Sequence, residues 1–219
     1  MKLFIVGATG RTGQLVVRRA ISRGHAVTAI VRKPGTLDPH ERLRTILGDP
    51  LRVDDLAPGL AGSDVVISCL GQRSSKDGTL LLDAAGAMLE AMRSVGVRRY
   101  LVVSQGLLFP NRNPIIFLLR RILVRQVADS RAMEETIRAS DADWTIVRPP
   151  RLQEGGAFHG YHLQVGAQPA GAWAMQRGDL AAFLVDEAQS AEYARTILGI
   201  TSQSQHLAKA RTGDGRPNW

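Results

Sequence analysis

Short runs of Val, Ile and Leu recur along this chain, separated by stretches in which apolar residues return every three or four positions. The runs are Leu3 to Val6, Ala26 to Val31, Thr45 to Leu47, Asp64 to Ser68, Tyr100 to Val103, Trp144 to Val147 and Thr196 to Ile200. Most are apolar at successive rather than alternate positions. Both faces of such strands must be covered, as in a parallel sheet held between helices. Helical spacing predicts Gln14 to Ser22 after a glycine-rich turn, Leu80 to Val95 ending before Gly96, and Asp179 to about Ala188. The alternation predicts an α/β fold: a doubly wound, Rossmann-type, mostly parallel sheet flanked by helices, as a single domain over 1–203.

Two stretches interrupt the pattern, and we read them as the substrate side of the domain, at about 105–131 and 151–177. In the first, Pro110 to Pro114 is turn-like, and Ile115, Ile116, Leu118, Leu119, Ile122, Leu123 and Val127 follow at helical spacing. That predicts one amphipathic helix with arginines on its wet face. It reads as packed on the sheet; a lid over a substrate site, a membrane-surface helix, or a surface at 115–127 for a protein partner, are the alternatives. The second stretch is rich in Gly and small residues and has no clear period. The polar segment 204–219 reads as a loosely ordered tail.

The chain has 219 residues, 44% of them apolar, enough for one sizeable core. A single cysteine, Cys69, rules out an intramolecular disulfide and suits a reducing compartment. The start shows no leader pattern and no apolar stretch nears the ~20 residues of a membrane span, so the expected setting is cytoplasmic. The formal net charge is +8. Five arginines against the one acid Asp129 between Arg112 and Arg131 supply half of it. Aromatic residues, 5% of the chain, do not interleave with these arginines. The charge therefore points to an anionic or planar small molecule and not to nucleic acid.

The sharpest motif is Gly7-Ala8-Thr9-Gly10-Arg11-Thr12-Gly13, between the first strand and the first helix. A pyrophosphate needs backbone N–H groups aimed at it and no side chains in the way, and a helix N-terminus adds favourable dipole charge. The glycines fall at i, i+3 and i+6, one residue looser than G-x-G-x-x-G. The second strand ends Val31-Arg32-Lys33. An NAD site places an acid there for the ribose hydroxyls, whereas a 2′-phosphate requires a cation. Arg32 and Lys33, with Arg11 as a third cation, therefore predict NADP(H).

With these residues the chain resembles an atypical short-chain dehydrogenase/reductase of the NAD(P)H-binding, NmrA-like type, nearest to the flavin reductase (biliverdin-IXβ reductase) group. GATGRTG, LGD at 47–49, VVSQGLL at 102–108, DWTIVRPP at 143–150 and GDLAAFLVDE at 178–187 carry the resemblance. It implies that Asp49 contacts the adenine and that Cys69, Leu70 and Gly71 line the ribose and diphosphate. It places Ser104 beside the nicotinamide as the catalytic-end residue, and Pro149 and Pro150 against the carboxamide. Where that group carries histidines near its substrate, Glu134 and Arg151 stand here.

The usual reductase acid, a tyrosine with a lysine four residues on, is missing: Ser104, Val165 and Ile197 follow Tyr100, Tyr161 and Tyr193. His159 and His162 make no metal-site spacing. Hydride transfer to a flavin, quinone or linear tetrapyrrole needs no such dyad. The leading expectation is an NADPH-dependent reductase of a planar, electron-poor acceptor. The alternative is a non-catalytic NADP(H)-binding redox sensor or assembly factor. A sugar-nucleotide epimerase would need a compensating acid that the sequence does not show.

Overall fold

The computed structural model describes residues 1–72, 78–111, 113–155, 159–171 and 173–203. The segment read as a tail, 204–219, lies outside them. In chain order the elements are β1 (Lys2–Val6), α1 (Arg11–Ser22), β2 (Ala26–Val31), β3 (Leu43–Leu47), α2 (Val53–Leu60), β4 (Val65–Ser68), α3 (Leu80–Val95) and β5 (Arg99–Val103). After a 3-10 turn at Gly106–Leu108 come α4 (Pro114–Ile122), α5 (Val124–Ala139), β6 (Asp143–Arg148), β7 (Arg151–Gln153), β8 (Tyr161–Val165), β9 (Ala174–Gln176), α6 (Arg177–Ser190) and β10 (Thr196–Ser202).

Eight strands pair in the order β3-β2-β1-β4-β5-β6-β10-β8. All pairs are parallel except β8 against β10. The continuous apolar runs have the expected cause. Leu3 and Ile5 of β1 pack with Val16, Val17, Phe183 and Leu184, under α1 and α6. Phe4 and Val6 pack on the opposite face with Leu56, Leu60, Met88 and Ile137, under α2, α3 and α5. From β1 the chain winds one way to β2 and β3, then returns to β4 on the other side. That reversal leaves a crevice beyond the carboxyl ends of β1 and β4, where ligands of this architecture bind.

The interrupted stretches differ from expectation. The helix expected across Ile115 to Val127 is two helices, broken at Leu123, which ends α4 and begins α5. α5 packs inward through Val127, Met133 and Ile137. α4 does not pack on the sheet: no residue of it is buried. The Asn113 side chain accepts from the Ile115 N–H at its start. Arg120 donates to the Leu107 carbonyl at 2.8 Å and also to that of Phe109, pinning α4 over the loop that follows β5. Among its described residues the stretch 151–177 holds three short strands; β7 and β9 form a separate parallel pair.

Candidate functional site

The glycine turn is built by contact as much as by backbone freedom. Gly7 has φ +73°. A Cβ there would lie 2.7 Å from the Cys69 carbonyl carbon, and one at Gly13 would lie 2.1 Å from the Gly7 oxygen. The turn is therefore pressed against the end of β4 on one side and the first turn of α1 on the other. Gly10 begins α1 without a side-chain cap, and its N–H donates to the Gly7 oxygen at 3.0 Å. The leading N–H groups of α1, at Arg11, Thr12 and Gly13, have no intrahelical acceptor. Gln14 steadies the turn, its amide donating to the Thr9 carbonyl at 3.2 Å. Thr12 is buried.

Around this turn stand the other residues expected to hold a cofactor. Arg32 and Lys33, just beyond β2, are exposed, and among the described residues neither has a carboxylate at ion-pair distance. Arg11 differs: it pairs at 2.9 Å with Glu154, which also takes Arg177 at 3.1 Å. Its charge is therefore answered from the far side of the cleft. Asp49 accepts from the Leu51 N–H at 3.0 Å, and its own N–H donates to Asp55 at 2.8 Å. Cys69 and Leu70 run alongside Gly7, and Gly71 follows with open space where a Cβ would stand. Burial pushes the Cys69 thiol up to about 12, which keeps it a neutral packing group. An uncapped helix start, a turn in which a Cβ would collide, and two cations without a carboxylate partner among the described residues fit a nicotinamide dinucleotide.

The carboxyl ends of β5 and β6 carry a second cluster. Ser104 Oγ donates to Glu134 Oε1 at 2.5 Å. Arg148 clasps the same carboxylate, Nε to Oε1 at 2.9 Å and Nη2 to Oε2 at 2.5 Å. The Arg148 guanidinium lies 4.7 Å from the ring centroid of Phe109. Glu134, expected to meet substrate, is 3% exposed and sits behind Ser104, so it reaches a ligand only through that hydroxyl. With its proton committed to Glu134, Ser104 offers lone pairs, a fit for an amide N–H and not for an acid's task. Arg148 was missed in the sequence. Its signal was a cation at the end of the otherwise apolar run TIV in DWTIVRPP.

Next to this cluster opens a cavity of about 780 Å³. Pro149 and Pro150 form one wall with Gln105 and Gly106, and the Gly106 N–H donates to the Pro149 carbonyl at 2.7 Å. Phe109 and Trp173 supply aromatic surface, and Ile115, Ile116 and Leu119 of α4 close it from outside. Among the described residues, Arg151 is the one charged side chain in the lining. No tyrosine lines it. Tyr100 is buried in the core, which raises its phenol above the ordinary value. Desolvation, with Asp186 next, pushes Tyr161 up to about 12.

A family model described as NAD(P)H-binding matches residues 7–191, from the glycine turn to the end of α6. The chain belongs to that NAD(P)H-binding family. It is 30% identical over 164 residues to the uncharacterized sugar epimerase YhfK of Bacillus subtilis, spanning 70% of this chain and 73% of that protein. Against several longer curated relatives it spans 27–59% of their length. Among solved structures, a putative NADH-flavin reductase from Streptococcus pneumoniae superposes with a TM-score of 0.78 at 23% identity, covering 93% of this chain and 100% of that one. A short-chain dehydrogenase/reductase from Veillonella parvula, in complex with NADP, gives 0.78 at 21%, covering 94% and 96%. The solved structures bear out the Rossmann-type fold, and the family model bears out the NAD(P)H-binding part of the resemblance.

Proposed function

We propose that this protein is an NADPH-dependent reductase of planar, electron-poor acceptors such as a flavin, a quinone or a linear tetrapyrrole. The observation that carries this reading is the apolar cavity, without an acid among its described lining residues, that opens beside Ser104 at the carboxyl ends of β5 and β6. When bound, NADPH supplies the hydride and water the accompanying proton. Gly7, Gly10 and Gly13 keep the pyrophosphate path clear, and Arg32 with Lys33 answers the 2′-phosphate. Ser104, oriented by Glu134 and Arg148, accepts a hydrogen bond from the carboxamide and so fixes which ring face looks into the cavity. Pro149, Pro150, Phe109 and the apolar side of α4 hold a flat ring there and exclude water, so rate comes from proximity and orientation. Arg151 favours acceptors that carry an anionic group.

The test is NADPH oxidation followed by near-ultraviolet absorbance, with FMN or menadione as acceptor. Steady turnover that is lost in Arg32→Glu at the same NADPH concentration is the expected result. Binding of NADPH without turnover of any such acceptor would overturn the reading and favour a redox sensor.

A further inference from the structure

α4 carries a pattern that its place in the fold does not use. Ile115, Ile116 and Leu119 face the cavity. Phe117, Leu118 and Ile122 stand outside its lining and are 66%, 57% and 66% exposed. Exposed Val124 extends this patch into α5. A helix that is apolar around most of its circumference is ordinarily buried, and a contiguous exposed patch of this kind marks a contact surface.

The charges beside the patch say what covers it. Arg121 and Arg125 are exposed, with no carboxylate at ion-pair distance among the described residues. Asp129, the single acid between Arg112 and Arg131, is buried and taken by the N–H groups of Leu81 and Leu82. In a two-fold dimer through this face the same arginines would meet each other. An anionic lipid surface satisfies both features: acyl chains take the apolar residues and phosphates take the arginines. The net charge of +8 acts in the same direction. Trp173, which also lines the cavity, is 56% exposed, a residue type favoured at such interfaces. No helix among the described residues is long and apolar enough to cross a membrane, so the attachment is peripheral.

We infer that α4 docks this protein on an anionic lipid surface, and that the cavity behind it takes a lipid-soluble planar acceptor from that surface. The docking stands on α4 alone; the choice of acceptor rests on the reductase reading above.

The test is sedimentation of the full chain with vesicles of phosphatidylcholine alone or mixed equally with phosphatidylglycerol. Pelleting with the mixed vesicles at low salt, weakened by high salt, is expected. At about fivefold per arginine, Arg121→Gln with Arg125→Gln weakens it on the order of 25-fold. Phe117→Ser with Leu118→Ser and Ile122→Ser abolishes it. None of these side chains lines the cavity, so NADPH binding checks the fold of each variant. Pelleting unchanged in both variants, or absent in the native chain, overturns the docking. So does a concentration-dependent dimer lost in the triple variant, which assigns the face to a second copy. NADPH oxidation with menadione in solution and a long-tailed quinone in the mixed vesicles separates the two readings. Docking with neither quinone reduced removes the reductase and leaves the docking; reduction of menadione alone removes the lipid-soluble acceptor.

Discussion

Arg32 stands where the second strand of a nucleotide-binding sheet chooses its cofactor, and its guanidinium has no carboxylate at ion-pair distance among the described residues. Arg32→Glu is expected to weaken NADPH about 10- to 100-fold and NADH by far less, as seen in fluorescence titrations of both; equal losses remove the 2′-phosphate assignment. Glu134 acts on the opposite side of the cleft. Its side chain is 4% exposed and that of Arg148 is 13%, so removing the carboxylate strands a buried guanidinium. Glu134→Ala is expected to cost ~3–5 kcal/mol, a fall in Tm of roughly 6–20 °C by calorimetry. Burial disfavours the Cys69 thiolate by raising the thiol from 9.0 to about 12. Iodoacetamide should therefore label Cys69 on the order of 1000-fold more slowly than a free thiol at pH 8, with a rate that climbs through pH 9 without levelling. The residues of the glycine turn were legible because their chemistry is local. The tie between Ser104, Glu134 and Arg148 was not, because it joins residues 30 and 14 positions apart, beyond the reach of any local pattern.

Among the elements, α3 shows how a helix borrows its start from elsewhere in the chain. Thr79 gives it no side-chain cap. Asp129 of α5 accepts from the N–H groups of Leu81 and Leu82, both at 3.0 Å, and from Gln72 beside the β4 end. Asp129→Ala is expected to cost ~1–3 kcal/mol by urea unfolding, and Asp129→Asn less, since its amide oxygen still accepts. Read along the sequence, Asp129 was merely the odd acid in an arginine-rich stretch. α4 shows a second limit. Periodicity says that a segment is helical, but a helix apolar nearly all round has no preferred inner face, so spacing could not decide between sheet, cavity and solvent. The short strands β7, β8 and β9 were illegible for another reason. At three to five residues among glycines they present too few side chains to establish an alternation, and their partners lie elsewhere in the chain.

For the whole molecule, cofactor binding to the folded state alone makes stability a readout of the site. NADPH at 100 times its Kd should add ~2.7 kcal/mol, a rise in Tm of roughly 5–11 °C, and the same concentration of NADH distinctly less. The sequence by itself determined the layered architecture, because runs apolar on both faces can be satisfied only between two layers of helices. It determined the glycine turn as well, since a close pyrophosphate path excludes side chains whatever surrounds it. The tertiary structure alone decided what fills the space beyond β5 and β6. There a buried carboxylate from α5, a guanidinium from β6 and an apolar helix standing off the sheet meet, and no local preference specifies where such surfaces come together.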